Sequence, residues 1–158
     1  MIFKREFRFE GIFKGRVEEY FQVVANISKW DRWNPNVHYM ILDTPFRKGA
    51  TGRSIPTQFT PTNFEITEVI HNERIVIRFK LAIGSMTIDY NFEREDDDST
   101  FIRRISTARG ITAFLIYTMN SKRIDKEFGE TLQCLESQVE FEKFDRAAKS
   151  RAIDTTAG

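Results

Sequence analysis

One cysteine, two histidines and a formal net charge of +1 in 158 residues close off several kinds of chemistry at once. Cys134 alone excludes an intrachain disulfide and fits a reducing compartment, the cytoplasm. It lies off the apolar stripe of a helical run and has no basic cluster nearby, as an inert thiol does. His38 and His71 fall on separate expected strands, with no Cys or carboxylate pair at metal-ligand spacing, so no metal site is expected. Gly-x-Ser-x-Gly, phosphate-loop and dinucleotide patterns are absent, and no cofactor is expected. The near-zero net charge offers no global field for a nucleic acid, which is not expected as a partner. No run of ~18 apolar residues exists, so no helix is expected to span a membrane. The opening MIFKREFRFE alternates charge with Phe and does not read as the hydrophobic region of a signal peptide.

What is present is an ordinary globular composition, 41% hydrophobic and 30% charged, with enough apolar material for one core. Phe is over-used, at 15 residues, which means either a Phe-rich core or rings lining an apolar cavity. The longest periodic signal runs from about Thr112 to Phe144. Tyr117, Ser121, Ile124, Phe128, Leu132, Leu135 and Val139 recur every three or four residues, forming a stripe about 80° wide at ~100° per residue. Such a stripe needs a sheet or another helix to cover it. Gly129 sits inside this run at a cost of about 1 kcal/mol relative to Ala. It lies on the flank, where no role is assigned to it.

Upstream, residues 2–9 alternate Phe with charge as a strand does, with Arg5 interrupting the apolar side. Gly11 to Gly15 reads as a turn. A helix is expected over 15–26, with Val17, Tyr20, Phe21 and Val24 on its apolar side. Ser28 is a plausible N-cap for a second short helix, Lys29 to Trp33, where Trp30 and Trp33 pack. Asn34-Pro35-Asn36 ends it. Strands are then expected over Val37–Leu42, over Thr51–Phe59 with an interruption at Pro56, and over four alternating stretches from Phe64 to Thr107. The acidic run EREDDDS forms a solvated hairpin, and Gly110 precedes the long helix. Short strands joined by tight turns argue for an antiparallel meander. The segment 147–158 reads as a fraying tail outside a single domain of 1–146.

The order of strand, two helices, about six strands and one long helix resembles the START/polyketide cyclase-like (SRPBCC) superfamily. Three stretches carry the resemblance: Val23 to Val37 with its Trp33-Asn34-Pro35 turn, Tyr90 to Ile105 with the acidic hairpin, and Phe128-Gly129-Glu130-Thr131-Leu132 with Leu135, Val139 and Glu140. The resemblance implies an α+β helix-grip fold, in which a curved antiparallel sheet of about seven strands grips a long C-terminal helix. It also implies a cavity between the two. Alternation then assigns Phe64, Ile66, Phe79, Met86, Ile88, Tyr90, Phe92 and Ile105 to its sheet wall, with Tyr117, Ile124 and Phe128 from the helix.

The functional expectation is binding of a hydrophobic small molecule, a lipid, polyketide or isoprenoid-like compound. Two rivals stand beside it. One is a cyclase/dehydrase-type enzyme using the same cavity, with His38, Tyr90 or Arg103 moving a proton. The other is an interaction or stress module with a filled core. An inward Glu68–Arg103 pair would favour acid–base work, and a one-residue slip in register would turn both outward. The surplus apolar residues Phe114, Leu115, Ile116 and Met119 have three uses: covering a cavity mouth, contacting a second subunit in a homodimer, or burial in the core.

Overall fold

The computed structural model describes residues 3–57 and 60–157. The alternating stretches form seven strands: β1 (Lys4–Lys14), β2 (Val37–Leu42), β3 (Thr51–Pro56), β4 (Thr62–Ile70), β5 (Arg74–Lys80), β6 (Ser85–Asp96) and β7 (Ser99–Arg109). They make one antiparallel sheet in the order β1-β7-β6-β5-β4-β3-β2. β2 to β7 are therefore a meander, and β1 docks on its far edge. Gly11 belongs to β1 and not to a turn. Its strand pairs with β7 without interruption from Lys4 opposite Arg109 to Lys14 opposite Ser99, and the chain turns only at Gly15. β3 ends at Pro56, which cannot donate to a ladder; residues 58 and 59 of the longer strand expected there, and Ile2 of the first strand, lie outside the described residues.

From the β1 edge, α1 (Val17–Ala25) and a 3-10 helix (Ile27–Arg32) carry the chain to β2 at the opposite edge. Glu19 starts α1 by accepting from the Arg16 backbone N–H at 3.1 Å, so it satisfies a donor the helix leaves free. Its carboxylate also meets Arg146 at 3.5 Å. Tyr20, Phe21 and Val24 are buried as the period predicted, and Val17 is half-buried. The second short helix begins earlier than expected, and its N-cap is Asn26, not Ser28. Trp30 is fully buried there and its indole N–H donates to the Val24 carbonyl at 2.8 Å.

The continuous run expected from Thr112 is two helices, α2 (Ile111–Met119) and α3 (Ser121–Ala157). Asn120 separates them. Its side-chain amide donates to the Ile116 carbonyl at 2.8 Å, which also accepts from the Asn120 backbone N–H at 3.2 Å. The stripe nevertheless holds: Tyr117 from α2 and Ile124, Phe128, Leu132, Leu135 and Val139 from α3 are buried against the sheet. α3 continues through the segment expected to be a tail. Arg146, Ala147, Ala148, Lys149 and Ala152 are good helix formers, so the backbone can stay helical where side chains find little to cover them. Among the described residues, no helix is long and apolar enough to cross a membrane.

The register of β7 differs from the sequence reading by one residue. Facing residues in adjacent strands share a side of the sheet. Phe92, Tyr90, Ile88 and Met86 stand opposite Ile102, Arg104, Ser106 and Ala108. Since the β6 set points into the core, so does the second set. Ile105 is therefore half-buried on the outer face, and Arg103 is outside, paired with Glu10 at 2.9 Å. A bulge between Ile66 and Glu68 shifts β4, and Glu68 meets Lys48 at 3.7 Å. The inward Glu68–Arg103 pair does not form.

Candidate functional site

A cavity of about 580 Å³ lies between the concave face of the sheet and the two C-terminal helices. Phe79, Met86 and Ile88 come from the sheet, and Tyr117, Ile124 and Phe128 from the helices. The first three follow from alternation on β5 and β6, the last three from the helical stripe. Trp30 closes one side from the 3-10 helix, and Ile83 and Ile116 stand at the rim, 63% and 38% exposed. The polar members include Asn34, Asn36, Ser54, Lys80, Arg104 and Glu127, with several threonines.

Arg104 is the residue that gives the wall its character. It is 1% exposed. Its Nε–H donates to the Tyr90 hydroxyl at 3.1 Å, and its guanidinium carbon sits 4.5 Å from the centre of the Phe128 ring. Stacking on an aromatic face suits the planar, weakly hydrated guanidinium. Its Nη1 is buried without a hydrogen-bond partner among the described residues, and so is Ser106 Oγ, two positions along the same face. Burial raises the pKa of the Tyr90 phenol, against the opposing pull of Arg104. Burial also pushes the Tyr117 phenol up to about 12, again opposed by Arg104, while its hydroxyl donates to Met86 Sδ at 2.7 Å. Both phenols are thus neutral at physiological pH.

A second hollow of similar volume lies beside the β4–β5 turn. Its wall carries Glu18, Glu73, Arg74, Glu93, Arg94 and Arg103. An apolar molecule would gain little there, since the wall is charged and partly ion-paired.

No family model and no curated protein sequence matches the chain. Solved structures do match in shape. A norcoclaurine synthase point mutant from Thalictrum flavum, in complex with a transition state analogue, superposes with a TM-score of 0.70 at 8% identity, over 90% of this chain and 98% of that one. The hypothetical protein jhp0584 from Helicobacter pylori gives 0.74 at 15% identity, over 85% and 88%. The di-domain ARO/CYC StfQ from the steffimycin biosynthetic pathway gives 0.71 at 11% identity, over 89% of this chain and 52% of that one. The chain shares the helix-grip fold of these structures. At these identities the likeness is one of fold.

Within the helix grip, the expected wall residues divide into three groups. Phe79, Met86, Ile88, Tyr117, Ile124 and Phe128 line the cavity. Phe64, Ile66, Tyr90 and Phe92 are buried on the same face of the sheet, packed into the core beside it, and Tyr90 borders the cavity through Arg104. Ile105 is on the other face. Of the three proton-transfer candidates, His38 is exposed on β2 next to a bulge and Arg103 points outward. Only Tyr90 lies near the cavity. Cys134 is half-buried on α3 and outside the wall. Sequence reasoning passed over Arg104. The signal that could have found it is the hairpin register: once Tyr90 is placed inward, the residue opposite it must be inward too.

Proposed function

We propose that this helix-grip protein binds an apolar small molecule, of lipid, polyketide or isoprenoid-like character, between the sheet and the C-terminal helices. The observation that carries this reading is the size of the cavity in a wall made mainly of hydrophobic side chains. Measured apolar cavities cost about 24 cal/mol per Å³. A dry, empty space of 580 Å³ would then cost roughly 14 kcal/mol. That is comparable with the entire stability of a typical domain, about 5–15 kcal/mol. The rim is open, with Ile83 63% exposed, so water or a ligand fills the space, and a hydrophobic lining favours a hydrophobic occupant. Affinity would come from burial at ~25 cal/mol per Å².

A polyketide cyclase/dehydrase-type enzyme is the second reading. It is supported by the hydrogen-bonded Arg104–Tyr90 pair bordering the cavity, where a flexible chain could be folded against a fixed donor. Binding without turnover separates the first reading from the second.

The test is native mass spectrometry of freshly purified protein, with solvent extraction of the same sample. The binding reading predicts a one-to-one adduct whose extract contains an apolar compound. A bare protein mass, together with no thermal stabilisation by any member of a hydrophobic ligand panel, would overturn it.

A further inference from the structure

Arg104 holds a permanent positive charge inside an apolar wall. A guanidinium does not release its proton in a protein. Its Nε–H is committed to Tyr90, and Phe128 lies against its plane. Those two contacts fix the orientation of the fork. Nη1 remains, buried and without a partner among the described residues. The carboxylate in the same wall, Glu127 on α3, is engaged by Arg123 at 2.9 Å. Burying a charge is costly unless it is paired and hydrogen-bonded. The hydroxyl of Ser106, also buried and unpartnered, lies on the same face of β7 two residues away.

Resting on the cavity reading, we infer that the ligand is a carboxylic acid with an apolar body. Its carboxylate pairs with the guanidinium of Arg104, and its hydrocarbon part lies along Phe79, Met86, Ile88 and Ile124. A carboxylate matches the planar guanidinium fork in shape. The other cation of the wall, Lys80, is exposed, so Arg104 is the one buried positive charge there among the described residues and a single anionic charge matches it. A phosphate monoester would bring extra charge with no buried partner.

The test uses the full chain and N-phenyl-1-naphthylamine, a neutral dye that brightens in apolar surroundings, to report on the cavity. Dodecanoate, dodecanol and methyl dodecanoate are compared as displacers, each below its aggregation concentration. Dodecanoate should displace the dye at concentrations at least about tenfold lower than the alcohol or the ester, the scale of one charge-assisted pair. Arg104→Met should lose that preference, and Arg104→Lys, which keeps the charge without the fork, should retain part of it. Equal displacement of bound dye by all three compounds in the wild type would overturn the acid inference and leave the cavity reading standing. Failure of the dye to bind would overturn both. The wild-type comparison decides the matter even where a variant does not fold.

Discussion

Arg104 and Tyr90 show how one residue's register changes the chemistry available to the whole site. The run Phe101-Ile102-Arg103-Arg104-Ile105-Ser106 has similar hydrophobicity on both alternating sets, so its own sequence does not say which arginine is inside. The partner strand does. Met86, Ile88, Tyr90 and Phe92 form an apolar set with no such ambiguity, and the pairing transfers their direction to Arg104. The outside arginine finds Glu10, while the inside one finds a phenol and a ring. A charge kept in that position costs stability, which implies that each half of the pair depends on the other. Tyr90→Phe alone strips the partner from Nε and should destabilise by about 1–3 kcal/mol. Replacing a buried ionic group together with its partner by hydrophobic residues of similar volume is often neutral or stabilising by about 1–4 kcal/mol. The Tyr90→Phe/Arg104→Met double variant should therefore be at least as stable as the wild type in urea unfolding. A double variant that loses the sum of the two single losses would show that the residues contribute independently.

At the scale of elements, the strands and the helical stripe were legible because each has a strong period, and the junctions were less so. Nothing in the helical spacing marks Asn120 as a break, because the apolar stripe runs straight past it; where α2 ends, the Asn120 side-chain amide joins its own backbone N–H on the Ile116 carbonyl. α3 runs on past the end of its apolar stripe for the opposite reason. Composition there is small and polar, yet helix propensity alone is enough to continue a helix already nucleated. Two glycines test this level in opposite directions. Gly110, at the entry to α2, has φ of +99°, and a Cβ there would lie 2.8 Å from Gly84 Cα on the β5–β6 turn. Gly110→Ala should cost about 1–3 kcal/mol, as a strained backbone position does. Gly129 has ordinary helical backbone, and a Cβ would meet the Phe9 ring at 3.6 Å, a normal contact. Gly129→Ala should stabilise by about 0.5–1 kcal/mol. Denaturation midpoints that move in the same direction for both variants would contradict this assignment.

For the whole molecule, the question left open by composition was whether so many Phe rings close the space between sheet and helix. Among the described residues they cluster at its margins. Phe7 and Phe9 lock edge-on against Phe128 under α3, Phe21 and Phe92 meet beneath α1, and Phe64 packs on Phe79. The volume between these clusters is set by the curl of the sheet and the stand-off of the helices, neither of which appears in a residue pattern. The fold was therefore readable from the sequence, the inward residues of β5, β6 and α3 largely so, and the cavity itself only once the elements were assembled. Methionine methyl groups give a site-resolved view of that cavity. Met86 stands in its wall, Met40 is buried elsewhere in the core, and Met119 is exposed at the end of α2. With 13C-methyl methionine, a bound apolar ligand such as dodecanoate should shift the Met86 resonance strongly and leave Met40 in place. A ligand that binds while the Met86 resonance stays fixed would contradict the account, because the site would then lie outside the space between sheet and helix.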